Sequence, residues 1–493
     1  MGIGNTAGRA RENDRLSKKI LAAIIVPCAI AIIAAIIITK PWQPAPAVQT
    51  HALTIYISPA GAGSVSPSGG EWQSGARVTL IASPASGYLF VNWTGDVSTV
   101  ADVGDATTTI TMNDHYSVTA NFAVGIREIR DWYGLDVVRD NLGGSYLLMN
   151  DLDSTAAGYA ELASETANGG RGWEPIGTAD EGFTGSFNGQ GHEIRDLFIN
   201  RPGQDYVGLF AHISWTHPVD NVGVIENVGM VNASVTGHWQ VGALAGHNAG
   251  VVNNSYSSGS IRNEGLYVGG LVGYNDGGLV SDSYSTGNVT GVRYVGGLVG
   301  GITGARNVRE GSVVNCYSTS NVTGGTRVGG LVGNVYADAS VSNCYSTGSV
   351  TGNRWVGGLV AENGGGTVSS SYSTGSVAGD GYVGGLVGLN YWGTVTNCYS
   401  AGMVSGGGPV GGLVGEDNEG AVSNSFWDIE TSERVTSDGG TGVTTEEMRD
   451  IATFSGAGWN ITAVADPWLR NPSDIWNIAD GWTYPFLSWQ PLS

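Results

Sequence analysis

Lysine is almost absent from this 493-residue chain: Lys18, Lys19 and Lys40 are the only three, and Lys and Arg together number 22 against 43 Asp and Glu. A protein that grips nucleic acid neutralises phosphates with many Lys and Arg, so a net charge of −21 excludes DNA and RNA as natural partners and disfavours polyanions generally. Cysteine is scarce as well. The four residues, Cys28, Cys316, Cys344 and Cys398, include no CxxC pair, so no zinc finger or ribbon is built from them. Proline is not in excess, and the 80 glycines follow no G-X-Y period, which excludes collagen and proline-rich disorder. No P-loop, dinucleotide fingerprint, nucleophile elbow or D-x-[DN]-x-[DN]-G calcium loop is present. No catalytic residue, cofactor or metal ligand is therefore assigned.

What is abundant is repetition. "VGGLVG" recurs at Val268, Val295, Val328, Val383 and Val410, with the variants "VGALAG" at Val241 and "VGGLVA" at Val356. The intervals from Val241 are 27, 27, 33, 28, 27 and 27 residues, the self-similarity of a solenoid. Each copy continues through a variable segment to "VSNCYSTG" and "SVTG", giving three short β-type runs separated by Gly, Asn and Asp turns. That order predicts a parallel β-helix of about 27-residue coils, each strand pairing with its counterpart one coil away at ~4.8 Å. Glycine weakens a strand, but it tolerates the tight bends and close backbone approaches of a narrow coil.

Three columns run through the copies. Asn254, Asp282, Asn315, Asn343, Ser370, Asn397 and Asn424 are equivalent and predict a side-chain ladder. The next column alternates Ser with Cys316, Cys344 and Cys398, which reads as a demand for small residues and predicts free thiols, since a strand spacing of ~4.8 Å exceeds the usual disulfide Cβ separation. The third column, just before each glycine motif, is mostly aromatic: Tyr206, Gln240, Tyr267, Tyr294, Arg327, Trp355, Tyr382 and Pro409. Strict strand alternation puts Tyr267 on the same face as the core residue Leu271, whereas an outward placement gives a platform on which sugar rings stack. Tyr267, Tyr294, Trp355 and Tyr382 are the candidate ligand-contact residues.

Before the repeats stands one long apolar run, Ile20 to Thr39, 20 uncharged residues that span about 30 Å as a helix. Basic residues ahead of it predict a single-pass anchor at 20–39 with the tail 1–19 in the cytoplasm and the remainder extracellular. A cleaved signal peptide is the rival reading, but its small-residue site, "AIA" at 29–31, falls inside the apolar run. Residues 40–52 form a proline-bearing linker. From 53 to 123, short alternating runs such as "LTIYIS" and "RVTLIAS" predict a small antiparallel module whose Tyr88, Phe90 and Trp93 supply core. Its "GYLFVNWTGD" and "TTTITMNDHYSVTANF" resemble the internalin-type B-repeat of bacterial surface proteins.

"VGGLVG" with "NCYSTG" resembles the GLUG repeat, and "LGGSYLLMNDLD" and "FTGSFNGQGHEIRDLFI" resemble the segment that introduces such arrays. Residues 124–205 are accordingly expected to form the N-terminal part or cap of the solenoid, 206–430 the GLUG-repeat β-helix, and 431–493 a C-terminal cap in which Trp476, Trp482, Tyr484 and Trp489 pack. The resemblance implies a non-catalytic surface β-solenoid, related to the region ahead of immunoglobulin-A-cleaving metallopeptidases. The zinc-peptidase motif itself fails, because "HEIRD" offers His192 and Glu193 but Asp196 where a second His is needed. The acidic residues Asp276, Glu362, Asp380, Glu416 and Asp417 read as single carboxylates in variable loops. A cell-surface adhesion or recognition protein is expected, its partner a glycan or a host or neighbouring protein, neutral or basic rather than acidic. A structural envelope spacer or surface-layer component is the first alternative, a polysaccharide-degrading β-helix enzyme the second.

Overall fold

The computed structural model describes residues 49–491 apart from 86, 217–220 and 305–308. The expected anchor at 20–39, the tail 1–19 and residues 40–48 of the linker lie outside the described residues, as does Cys28. Among the described residues no helix is long and apolar enough to cross a membrane. The chain divides into two compact units.

Residues 50–124 form an antiparallel module. Its four-stranded sheet runs Gly69–Gln73, Thr50–Ser58, Tyr116–Val124, Tyr88–Gly95, and a three-stranded sheet joins Gly63–Ser66, Arg77–Pro84 and Thr107–Thr111. Alternation along Arg77–Pro84 buries Val78, Leu80 and Ala82 and exposes the residues between. Of the three aromatics expected in its core, only Trp93 is fully buried, with its indole N–H donating to the Asp105 carbonyl at 2.9 Å. Tyr88 and Phe90 are half-buried, Phe90 edge-on to Phe122.

The larger unit is a parallel β-helix. Val268, Val295, Val328, Val356, Val383 and Val410 stand in unbroken register from coil to coil. Among the described residues three long sheets wall it. One has eleven strands from Ile126–Ile129 to Ala421–Ser423, one has eight from Phe210–Ile213 to Val414–Asn418, and a third, contributing two strands per coil, has eighteen. Coils begin at Ile126, well ahead of the first glycine motif. The early coils are filled by Trp132, Trp173, Phe183, Phe187 and Phe210, the later ones by stacked Val and Leu.

The glycines have distinct reasons. A Cβ on Gly296 would run into the carbonyl oxygen of Val299 in its own coil, and one on Gly297 would meet Ser318 Oγ and the Gly330 carbonyl oxygen across the interior. Seven copies keep glycine at the first of these places (242, 269, 296, 329, 357, 384, 411), whereas Ala361 occupies the third glycine place of its motif. The narrow interior is thus what demands the weak strand former. The expected asparagine column is a turn column. Asn254, Asp282, Asn315, Asn343, Ser370, Asn397 and Asn424 all adopt left-handed backbone, φ 44 to 54°, which Asn and Asp tolerate best after Gly. Its ladder is partial: Asn343 donates to Asn315 at 3.4 Å and Asn315 to Asp282 at 3.1 Å. A second ladder, of buried asparagines, runs through the variable segments, with Asn248 donating to Asn275 at 2.7 Å and Asn390 to the partly buried Asp417 at 2.6 Å.

Inside the NCYSTG segments the tyrosines themselves stack. Tyr256, Tyr284, Tyr317, Tyr345, Tyr372 and Tyr399 lie 4.7 to 5.1 Å apart, centroid to centroid, with planes within 7°. The C-terminal segment folds back along this ladder instead of only closing the last coil. Trp476 rests on Tyr372 and Tyr399, and Trp489 reaches Tyr345 and Tyr317 while donating to the Asn343 carbonyl at 3.1 Å. Trp482, expected to pack, is 83% exposed, because the turn after Ala479 carries it off the cluster.

Candidate functional site

The four candidate residues sit at one structural position repeated on successive coils. Tyr206, Gln240, Tyr267, Tyr294, Arg327, Trp355 and Tyr382 all have left-handed backbone, φ 54 to 61°. That twist breaks strand alternation between Tyr267 and Val268, so Leu271 is buried while Tyr267, Tyr294, Trp355 and Tyr382 are half-buried on the outer edge. The core placement that alternation implied does not occur.

The rings do not present open faces, however. Tyr267 and Tyr294 stack on each other at 4.5 Å and 8°. Arg327 then takes the aromatic place, its guanidinium 5.0 Å from the Tyr294 ring and 4.3 Å from the Trp355 ring. Arg354 lies 4.1 Å from Trp355 and 5.0 Å from Tyr382, and Arg293 lies 4.8 Å from Tyr294. The edge is therefore a stack in which Tyr267 and Tyr294 face each other and guanidiniums lie against the faces of Tyr294, Trp355 and Tyr382, that of Arg327 being turned to Glu362. Cation–π contacts of this kind contribute about 0.5–2 kcal/mol each.

Beside it runs a second outward column on the eight-stranded sheet, in register as His212, His247, Tyr274, Gly301, Asn334, Glu362, Leu389 and Glu416. The two columns interlock. The Tyr267 ring lies across Gly301, so closely that a Cβ there would meet it, and packs on Tyr274 at 4.6 Å. Glu362 forms a well-buried ion pair with Arg327 and accepts from Asn334 at 3.5 Å. Burial holds the Tyr267 hydroxyl up at about 12, and burial, with His212 nearby, pushes His247 down to about 3, so both are neutral at physiological pH.

Several expectations change here. Glu362, Glu416 and Asp417 lie on strands of this sheet, not in loops, and Asp276 ends the strand Val272–Asp276. Glu362 and Glu416 share one column two coils apart, separated by Leu389. Glu193 lies on the strand Glu193–Arg195, paired with Arg195, and His192 contacts Asp151 at 3.2 Å. Near the N-terminal coils a polar groove of about 700 Å³ contains Glu165 and Asp196, but the Asp196 carboxylate is bound by the Asn232 amide at 2.7 Å. Among the described residues no group of His, Cys, Asp and Glu is placed to hold a metal ion. Cys316, Cys344 and Cys398 are free and fully buried, and burial drives the Cys398 thiol up to about 12. Sequence reading passed over Arg293, Arg327 and Arg354 because the first and last fall in variable positions and Arg327 looked like an interruption of the aromatic column.

Comparison with known proteins follows the same division. The Divergent InlB B-repeat domain matches residues 53–125, and the GLUG motif matches 264–290, 291–323, 324–351 and 379–405. The coil at 352–378, left between matches, continues the same register. The chain is 39% identical over 151 residues to Halomucin of Haloquadratum walsbyi, covering 30% of this chain and 2% of that protein. It is 40% identical over 131 residues to a "Putative Gly-rich membrane protein" of Evansella cellulosilytica, covering 24% of this chain and 13% of that one. The chain thus spans only a small part of the length of either relative. The crystal structure of a "putative immunoglobulin A1 protease" from Bacteroides ovatus aligns over 74% of this chain and 92% of that one, at 21% identity and a TM-score of 0.41. The chain carries a divergent InlB B-repeat domain and, after it, an array of GLUG motifs.

Proposed function

We propose that this is a membrane-tethered cell-surface solenoid that works without catalysis, recognising a repetitive extracellular ligand, a glycan, along the edge formed by Tyr267, Tyr294, Trp355 and Tyr382. The observation that carries this reading is the edge itself: rings and guanidiniums continue over five coils at one repeated backbone position. At ~4.8 Å per coil such an edge offers similar contacts in series, and an array of weak sites gains avidity when its target also repeats. Ring edges, rather than open faces, make the contacts. The apolar run at 20–39 serves as the anchor, the N-terminus lies in the cytoplasm, and the linker and B-repeat domain follow the anchor in the chain, ahead of the solenoid. The names of the two relatives, Halomucin and a Gly-rich membrane protein, agree with a surface location.

Binding of full-length protein to a panel of neutral and charged glycans tests the reading. Saturable binding that falls in Trp355→Ala and Tyr382→Ala variants of unchanged circular dichroism supports it. An interaction insensitive to all four aromatic substitutions leaves the edge structural and favours the envelope-spacer alternative.

A further inference from the structure

Three arginines converge on an edge of a chain whose net charge is −21, and only one of them is neutralised. Arg327 is paired with Glu362. Among the described residues neither Arg293 nor Arg354 has an ion-pair partner, so two of the three guanidiniums at this edge are not matched by a carboxylate. Arg293 donates from Nη2 to the Tyr294 hydroxyl at 3.0 Å, but its Nε is buried with no hydrogen-bond partner. An orphaned charged donor beside a partly open edge is costly unless something else accepts from it. Arg354 is exposed and lies against Trp355 and Tyr382, and among the described residues its N–H groups meet no hydrogen-bond acceptor.

The spacing adds a constraint. Arg293 pairs in register with Thr326, and Thr326 with Arg354, so the backbone positions of the two arginines are two coils apart, ~9.6 Å at ~4.8 Å per coil, with Thr326 between them. That separation is close to the repeat of an extended, β-linked disaccharide. A guanidinium fork fits a carboxylate or sulfate in bidentate fashion, and its strength comes from contact rather than from the far field. The remaining acidic surface acts only within a Debye length of about 8 Å at physiological salt, so the overall charge does not veto a local cationic row.

We infer that the ligand of this edge is an acidic polysaccharide whose carboxylate or sulfate groups, one per disaccharide, are held by Arg293 and Arg354. This rests on the contact reading above and reverses the expectation drawn from net charge.

The test uses full-length protein in detergent with hyaluronan, its fully methyl-esterified form, keratan sulfate and desulfated keratan, at 0.05 and 0.3 M salt. The expected result is binding to hyaluronan or keratan sulfate about tenfold or more above the uncharged counterpart, weakened by salt. Arg293→Gln and Arg354→Gln should each lose about that factor while keeping the wild-type circular dichroism. Which of the two charged polymers binds separates a carboxylate from a sulfate ligand. Equal binding of charged and uncharged forms that still depends on Trp355 would overturn the inference and leave the contact reading standing. Binding to none of the four polymers, with retention of some other neutral glycan, overturns the inference as well, and loss of all glycan binding overturns both.

Discussion

The hydroxyl of Tyr484 donates a 2.6 Å hydrogen bond to the carboxylate of Asp428, tying the C-terminal tail to the last coil of the solenoid. The same carboxylate accepts from the backbone N–H of Glu430 at 2.8 Å and of Thr431 at 3.0 Å, and from the Thr445 hydroxyl at 2.7 Å. Burial works to raise its pKa, but these donors outweigh burial, led by Tyr484, and hold the group below its usual value.

A carboxyl depressed in the folded state contributes stability above its unfolded value of about 4 and loses it as pH falls through the folded value. The tail, 451–491, should therefore loosen in acid below about pH 4 before the valine-filled coils do. Hydrogen exchange between pH 7 and 3 measures this. In Asp428→Asn the tail should already be loosened at pH 7 and show a weaker acid dependence. An unchanged acid response in that variant would place the sensitivity elsewhere.

The tyrosine ladder should be uneven in strength. Tyr372 and Tyr399 are buried under the tail, whereas Tyr284 is half-buried and uncovered. Replacing Tyr372 by Ala removes two stacked neighbours, the contact with Trp476 and the 2.8 Å hydrogen bond to Gln490, and should cost about 3–5 kcal/mol. Tyr284→Ala should cost clearly less, about 1–2 kcal/mol. Urea titration of the two variants decides it, and equal losses would mean that the tail adds little to the ladder.

Two glycines of one motif should respond differently to the same methyl group. At Gly296 a Cβ strikes backbone of its own coil. At Gly300 it strikes backbone of the preceding coil, and Ala361 shows that the equivalent place accommodates alanine in another coil. Gly296→Ala should destabilise by about 3 kcal/mol or prevent folding, and Gly300→Ala by about 1 kcal/mol. The reverse ranking, by thermal melting, would contradict the packing described for the interior.

The thiols of Cys316, Cys344 and Cys398 should resist alkylation in native protein at pH 8 and react fully in denaturant without reductant. All three are buried, and burial drives the Cys316 and Cys398 thiols far above their usual value. Peptide mapping after alkylation gives the answer, and rapid native labelling of Cys398 would show that the coils open locally.

The period of the coils, their parallel register and the turn residues were legible in the sequence, because each is a local demand repeated at fixed spacing. Asn315 and Asn343 stood out for this reason. What could not be read were relationships between positions far apart within a coil. Arg327 and Glu362 are 35 residues apart and meet because one coil's edge leans over the next coil's sheet. The tyrosines of "NCYSTG" are as regular as the asparagines, yet nothing in their spacing distinguishes an open ladder from one roofed by a tail. Trp482 carries the same apolar weight as Trp476, and only the turn after Ala479 sends one outward and keeps the other in.

The tail grips a ladder whose rungs are chemically alike, so the rungs by themselves cannot tell it where to lie. Asp428, at the final coil, is a mark no rung repeats, and from there the tail reaches back, among the described residues, as far as Tyr317. Coils inserted or deleted ahead of Tyr317 are invisible to it. The molecule can thus lengthen or shorten by whole coils of about 27 residues, each adding ~4.8 Å of identical edge, without its terminus having to be redesigned.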